Sequence, residues 1–318
     1  MTQPVLGSRI LSMGHYQPTR VLTNDDLAAM VDTNDQWIRD RVGIVTRRIA
    51  DTESVADMAT AAAGKALAGS GLEAADIDLV VVATCSAVDR SPNIACRVAA
   101  KLGIAAPAAY DVNTACSGFS YAMATADHAV RAGAARNAIV IGAEKLSDFT
   151  DWTDRSTCIL FGDAAGAAVI TGVGPGENPG IGPVLWGSAP DRSDAVRIEG
   201  WRPYIQQEGQ QVFRWATTAL APLALEAISR AGFEPADIKA FISHQANLRI
   251  IEGIAKRLKL PDAIVAKDVV ESGNTSAASV PLALSKLIER HEIPSGAPVL
   301  LFGFGGGLTY AGQVVRCP

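Results

Sequence analysis

Cys116, His244 and Asn274 are the residues of this 318-residue chain whose types and settings point most directly to chemistry. Cys116 lies in "DVNTACSGFSYAMATADHAVRAG", where loop composition gives way to a helical pattern: Phe119, Met123, Ala126 and Val130 share one face of a segment from Ser117 to Arg131, and Gly133 suits the C-cap. A thiol at a helix N-terminus meets unpaired N–H groups and the positive end of the helix dipole. The spacing therefore predicts a thiolate favoured below the free value of ~8.5, as a nucleophile needs. His244 ends the apolar run of "ISHQANLRI", and Asn274 stands before a small-residue helix start in "ESGNTSAASVPLAL". Strand ends and helix starts are where α/β sheets expose catalytic groups. Each residue also has a plain structural use, as a small buried thiol, a packed imidazole and a turn amide.

The elements that must position these residues read as two similar halves. "GLEAADIDLVVVATCS" from Gly71 and "GFEPADIKAFISHQAN" from Gly232 share a helix end at glycine, an Ala-Asp-Ile turn and a buried strand, at an offset of 161. "NAIVIGA" and "APVLLFGF" repeat that offset through Gly142 and Gly303, while Cys116 falls opposite Asn274 at an offset of 158. Strands alternate with helical stretches such as "ESVADMATAAAGKALAGSG" and "RWATTALAPLALEAISRAG", which predicts mostly parallel sheets covered by helices. Residues 1–172 then form an N-terminal half with Cys116, and residues 173–318 a C-terminal half with His244 and Asn274. The Gly/Pro-rich "TGVGPGENPGIGP" reads as their connection or as an ordinary surface loop.

Composition narrows the class. With 48% hydrophobic and 19% charged residues the chain is globular, with ample material for a large core. It contains no apolar run long enough to span a bilayer, and "MTQPVLGSRILSMGHYQP" lacks the features of a signal peptide, so the expected compartment is the cytoplasm. The five cysteines, at 85, 96, 116, 158 and 317, form neither a disulfide framework nor a metal-ligand pattern. A net charge of −5 gives no general attraction to nucleic acid or anionic membrane.

"DVNTACSGFSYA", "SHQANLRI", "GNTSAASVPLAL" and "FGFGGGLTYAG", in this order, resemble the signature segments of β-ketoacyl-acyl carrier protein synthase III; "DTNDQWIRDRVGIVTRRIA" and "WTDRSTCILFGDAAGAAV" extend the resemblance over nearly the whole chain. It implies an α/β thiolase-like fold with two βα halves in a layered α-β-α-β-α core. It further implies that Cys116, His244 and Asn274 act together in a decarboxylative Claisen condensation. Cys116 would take the acyl group of an acyl-coenzyme A primer, with backbone N–H groups of Cys116 and Gly306 as oxyanion hole. His244 and Asn274 would stabilise the enolate formed as malonyl-acyl carrier protein loses carbon dioxide. The run Gly305-Gly306-Gly307 suits a backbone that must approach a substrate. Coenzyme A thioester is then a substrate, with no metal or tightly bound cofactor, and the enzyme a homodimer.

The resemblance also places Trp37 and Arg155 around the adenine of coenzyme A, with Arg41 and Asn247 as further contacts; without it, Arg155 reads as a partner of Asp151 or Asp154. Arg249, Lys256 and Arg257 share a helix side, with Arg214 as a fourth basic residue, and resemble a docking face for acidic carrier protein. Ser91 takes the position from which the partner subunit's acyl pocket is completed, and its small size beside Asp89 and Arg90 leaves acetyl, branched and unusual primers open. Two other readings stand beside condensation: a thiolase-fold acyltransferase passing an acyl group to an alcohol or amine, and a non-catalytic partner subunit, against which retention of all three polar residues speaks.

Overall fold

The computed structural model describes residues 7–200 and 204–318; the first six residues of the N-terminal stretch read above lie outside them. Two five-stranded sheets carry the fold, and they are built to the same plan. In the first, the strands run in the spatial order Gly7–Tyr16, Asp163–Val173, Asn137–Lys145, Leu79–Ala83, Ala108–Val112. In the second, the order is Leu185–Ser188, Thr309–Arg316, Pro298–Gly305, Ala240–Ser243, Ile264–Val265. Each sheet has three parallel strands at one side and two antiparallel ones at the other, so corresponding strands occupy corresponding places.

Strand periodicity explains why each sheet is covered on both faces. Leu79, Val81 and Ala83 turn one way from their strand, with Val140 and Ile170 of its neighbours, into a core shared with Ile242, Val299 and Leu301 of the second sheet. Between the sheets lie the helices Gly118–Arg131 and Ser279–Glu289, supplying Phe119, Met123, Leu284 and Leu287 to that same core. Val80, Val82, Ile139 and Ile141 face the other way and pack on the helices Val55–Ser70 and Ile94–Leu102. Phe241, Leu300 and Phe302 likewise meet the helices Gly209–Arg230 and Leu248–Leu258. The result is a five-layered α-β-α-β-α stack. Full burial of side chains such as Phe119, Phe241 and Phe302 contributes about 1.5–3 kcal/mol each.

A separate apolar cluster, made by Ile38, Val42 and Ile44 with Phe149, Ile159 and Phe161, roofs one end of this stack. The helix Asp35–Val42 in that roof starts on Asn34, whose side chain accepts from the Trp37 N–H, and ends on Gly43. Among the described residues no helix is long and apolar enough to cross a membrane.

The repeat sharpens one alignment made from the sequence. The Asn113 side chain accepts from the Ala115 N–H, and the Asn274 side chain accepts from the Ser276 N–H, so one turn is built twice. Ala115 and Ser276 share a φ of 46°, and each opens a 3-10 turn, Ala115–Ser117 in one half and Ser276–Ala278 in the other. The correct offset here is therefore 161, as in the strands. Asn274 answers Asn113, and the residue opposite Cys116 is Ala277, not Asn274.

Candidate active site

Cys116 sits in the middle of the turn Ala115–Ser117, two residues before the helix Gly118–Arg131 begins. The strand Pro298–Gly305 ends against it: a Cβ on Gly305 would lie 2.5 Å from the Cβ of Cys116 and 2.9 Å from its Sγ. Only glycine leaves room for the nucleophile there. The next residue, Gly306, and Cys116 itself both bring a backbone N–H close enough to the sulfur to favour its thiolate. Two backbone donors from two elements thus act on one sulfur, as the oxyanion hole expected from the sequence would require.

The acidity expected of Cys116 from its helix start is reversed. Burial pushes its thiol up to about 11, and the nearby Glu144 charge works in the same direction; hydrogen bonds from Ser276, Gly306 and its own N–H oppose it without prevailing. The resting residue is a thiol.

His244 follows the strand Ala240–Ser243 and is 2% exposed. Its Nδ1 lies 2.8 Å from Ser279 Oγ, and its ring meets Phe304 edge-on at 5.2 Å. Burial lowers its pKa to about 3, so the imidazole is neutral and acts as a hydrogen-bond donor, not a cation. Asn274 is anchored through its backbone N–H to Leu160 O at 2.8 Å. Its Oδ1 accepts from Ser276 N at 2.9 Å, which leaves Nδ2 as the donor end.

Ser276 and Ser279, which the sequence reading did not single out, knit these groups together. Ser276 is bonded to Asn274 through its backbone and lies 3.7 Å from Cys85 Sγ through its hydroxyl, which also favours the Cys116 thiolate, and Ser279 holds His244 from the next turn. Their signal was the repeated Asn-Thr pair, which places Ser276 opposite Ala115 and Ser279 opposite Gly118.

The outer residues are more dispersed. The Arg155 guanidinium stands 5.1 Å from the centroid of the Trp37 ring. It pairs not with Asp151 or Asp154 but with Asp32, through the backbone O at 2.9 Å and the carboxylate at 3.6 Å. Asp151 and Asp154 are instead turned inward on hydroxyls of their own loop, Asp151 on Thr153, Asp154 on Ser156 and Thr157. Arg41 is exposed near the end of the Trp37 helix, and its carbonyl accepts from Asn247 Nδ2 at 3.5 Å. Asn247 is also the N-cap of Leu248–Leu258, accepting from Arg249 N. Arg214, Arg249, Lys256 and Arg257 are all exposed, and Arg249 lies 5.3 Å from the Phe213 ring while Arg257 donates to Thr218 O. The two helices thereby join in one basic face. Ser91 is exposed in a loop whose Asp89 pairs with Arg97 at 2.6 Å.

The chain is similar to known proteins along nearly its whole length. The family described as 3-oxoacyl-[acyl-carrier-protein] synthase III matches residues 110–190, and its C-terminal counterpart matches residues 228–317. A relative from Streptomyces coelicolor, β-ketoacyl-[acyl-carrier-protein] synthase III 4, is 65% identical over 98% of this chain and 99% of its own length. One from Mycobacterium avium, a mycobacterial β-ketoacyl-[acyl-carrier-protein] synthase III, is 44% identical over 97% of this chain and 95% of its own. Among solved structures, the priming β-ketosynthase of a polyketide biosynthetic pathway superposes with a TM-score of 0.96 at 39% identity, covering 100% of this chain and 98% of that one. The synthase III of Aquifex aeolicus gives 0.92 at 39% identity, covering 98% and 100%. The five-layered stack is thus the thiolase-like fold that the sequence led us to expect, and with likeness running from end to end, this chain belongs to the β-ketoacyl-[acyl-carrier-protein] synthase III family of condensing acyltransferases.

Proposed function

We propose that this chain joins an acyl-coenzyme A primer to malonyl-acyl carrier protein by decarboxylative Claisen condensation, giving a 3-oxoacyl-carrier product, coenzyme A and carbon dioxide. The observation that carries this reading is the Cys116 sulfur packed against the strand end at Gly305, with the N–H groups of Cys116 and Gly306 beside it. The sulfur attacks the thioester carbonyl, and the oxyanion takes over those two donors as it forms. Coenzyme A leaves, and the acyl group stays on Cys116. Malonyl-carrier then loses carbon dioxide, and the neutral His244 imidazole and the Asn274 amide donate to the enolate oxygen. The carbanion attacks the acyl-cysteine and releases the product.

Trp37 and Arg155 supply a stacking site for the adenine of coenzyme A, with Arg41 and Asn247 farther along the entry. The basic face of Arg214, Arg249, Lys256 and Arg257 receives the acidic carrier. The strand Ala108–Val112 is one edge of the first sheet, and Asn93 and Asp111 tie the Ser91 loop to it. A second copy paired along this edge would bring Ser91 to its neighbour's acyl pocket, in a homodimer working in the cytoplasm.

Intact-mass measurement after incubation with a mixture of acyl-coenzyme A primers tests the reading. One acyl mass should appear on the native chain and none on Cys116→Ala, and carbon dioxide should follow on adding malonyl-carrier. Acylation of the variant, or acyl transfer to an alcohol or amine without carbon dioxide, would remove it.

A further inference from the structure

Thr309 opens the strand Thr309–Arg316, and its hydroxyl lies at the seam between the Cys116 turn and the glycine run. Its Oγ1 is 2.9 Å from Gly306 O, 2.8 Å from Ser117 Oγ and 3.3 Å from Thr114 O. Ser117 follows Cys116 and Thr114 stands two residues before it, while Gly306 is the middle glycine of Gly305-Gly306-Gly307. One hydroxyl therefore touches both segments that meet at the nucleophile, and no step of the condensation described above uses it.

The glycine run needs such a tie. Three consecutive glycines leave the backbone with its greatest freedom, and Gly307 uses it at a φ of 121°. Gly305 is fixed by its pairing with Thr309, the last pair of the hairpin, and by its packing on Cys116. Gly306 lies beyond that pair and has no side chain of its own to anchor. Its peptide rests on the nucleophile's turn, where a Cβ on Gly306 would stand 3.2 Å from the Cβ of Ala115. The bond from Thr309 to its carbonyl holds it at the far end.

We propose that Thr309, backed by Ser117, is the positioning residue of the oxyanion hole, pinning the Gly306 carbonyl so that the N–H of Gly306 stays turned toward Cys116. This inference rests on the acyl-cysteine reading above, in which that N–H receives the oxyanion. The two hydroxyls have two protons to place. Ser117 Oγ lies 2.8 Å from Thr114 O, but that carbonyl already accepts from the Ser117 N–H at 3.2 Å. The arrangement that spends both protons on short bonds without doubling on Thr114 runs from Ser117 to Thr309, and from Thr309 to Gly306 O. Ser117 thus aims the threonine proton, and Thr309 joins the hairpin to the turn that carries the sulfur.

Thr309→Val keeps the shape of the side chain and removes the hydroxyl. The test offers Cys116 saturating acyl-coenzyme A in one measurement and iodoacetamide in another, following the mass of the peptide that carries it. Both reagents need the thiolate, but only the thioester builds an oxyanion. Dividing the acylation rate by the alkylation rate therefore cancels the acidity of the thiol and isolates the hole. Were Thr309 merely structural, both rates would fall together and the ratio would hold. We expect the ratio to fall about tenfold in Thr309→Val and to return to within about twofold of the native value in Thr309→Ser. Ser117→Ala should lower it about threefold, since Thr309 loses the hydroxyl that aims its proton. Alanine fits that backbone, because Ala278 closes the corresponding turn in the second half, so this variant stands in should Thr309→Val fail to fold. An unchanged ratio in Thr309→Val, or in Ser117→Ala where it stands in, or no recovery in Thr309→Ser, would overturn the proposal. Failure of the native chain to be acylated on Cys116 while alkylation proceeds would instead overturn the reading on which it rests.

Discussion

The hydroxyl of Ser279 lies 2.8 Å from Nδ1 of His244 and 3.3 Å from the N–H of Gln245. Accepting from that N–H, the hydroxyl is set to donate to Nδ1, which puts the ring proton on Nε2. That is the tautomer an enolate oxygen needs from a neutral imidazole. Ser279→Ala should leave Cys116 acylation unchanged and slow malonyl-carrier decarboxylation about tenfold, the value of one orienting hydrogen bond. Single-turnover measurement of each half-reaction checks the split, and equal losses in both would contradict it.

The same imidazole makes stability depend on acid. Its folded pKa, about 3, lies below the ordinary 6.5, so the unfolded chain binds a proton that the folded chain refuses. The stability His244 retains above pH 6.5 is therefore lost as pH falls toward 3, at about 1.4 kcal/mol per unit. Urea unfolding at pH 7 and pH 5 should show a loss about 2 kcal/mol greater for the native chain than for His244→Asn. Equal acid sensitivity in the two would mean that the imidazole is not held neutral.

Arg155 and Trp37 already touch, with 5.1 Å between guanidinium carbon and ring centroid, whereas a base stacked between them needs about 7 Å. In the proposed stack, entering coenzyme A would therefore move the exposed arginine off Asp32. Trp37→Ala should raise KM for acyl-coenzyme A about tenfold with little change in kcat, because the stack acts on binding and not on the reacting atoms. Asp32→Ala, which removes the carboxylate contact at 3.6 Å and leaves the backbone O as the remaining tie on Arg155, should lower KM modestly. Steady-state kinetics on the two variants decides, and a fall in kcat for Trp37→Ala would contradict the assignment.

Arg249 is held over Phe213 at the junction of the two helices that carry the basic face. Arg249→Glu should raise KM for malonyl-carrier about tenfold at low salt and flatten its salt dependence. Self-acylation from acyl-coenzyme A should not change. An unaltered KM would move carrier docking elsewhere.

Much of this was legible in the chain because duplication and alternation are one-dimensional signals. The offset of 161 set the strands in register, and small residues around Cys116 and Asn274 marked the two turns. Partnerships across the fold were not legible. Arg155 finds Asp32, 123 residues away, instead of the aspartates beside it, because those are satisfied by their own loop hydroxyls. The acidity of Cys116 misled for a related reason. A helix start favours the thiolate, but burial beneath the strand end at Gly305 and the charge of Glu144, both distant in sequence, outweigh it. Ser276 and Ser279 were hidden among small residues whose hydroxyls gain meaning only once their neighbours are known.

The strand Ala108–Val112 forms one edge of the first sheet, and Cys116 follows its last residue by only four positions. Whatever pairs with that edge therefore grips the root of the nucleophile's own turn. In the proposed homodimer assembly and chemistry would share a few consecutive peptide units, so specific activity should fall on dilution before the fold itself is lost, and a graft that blocks the edge should silence an otherwise intact thiol.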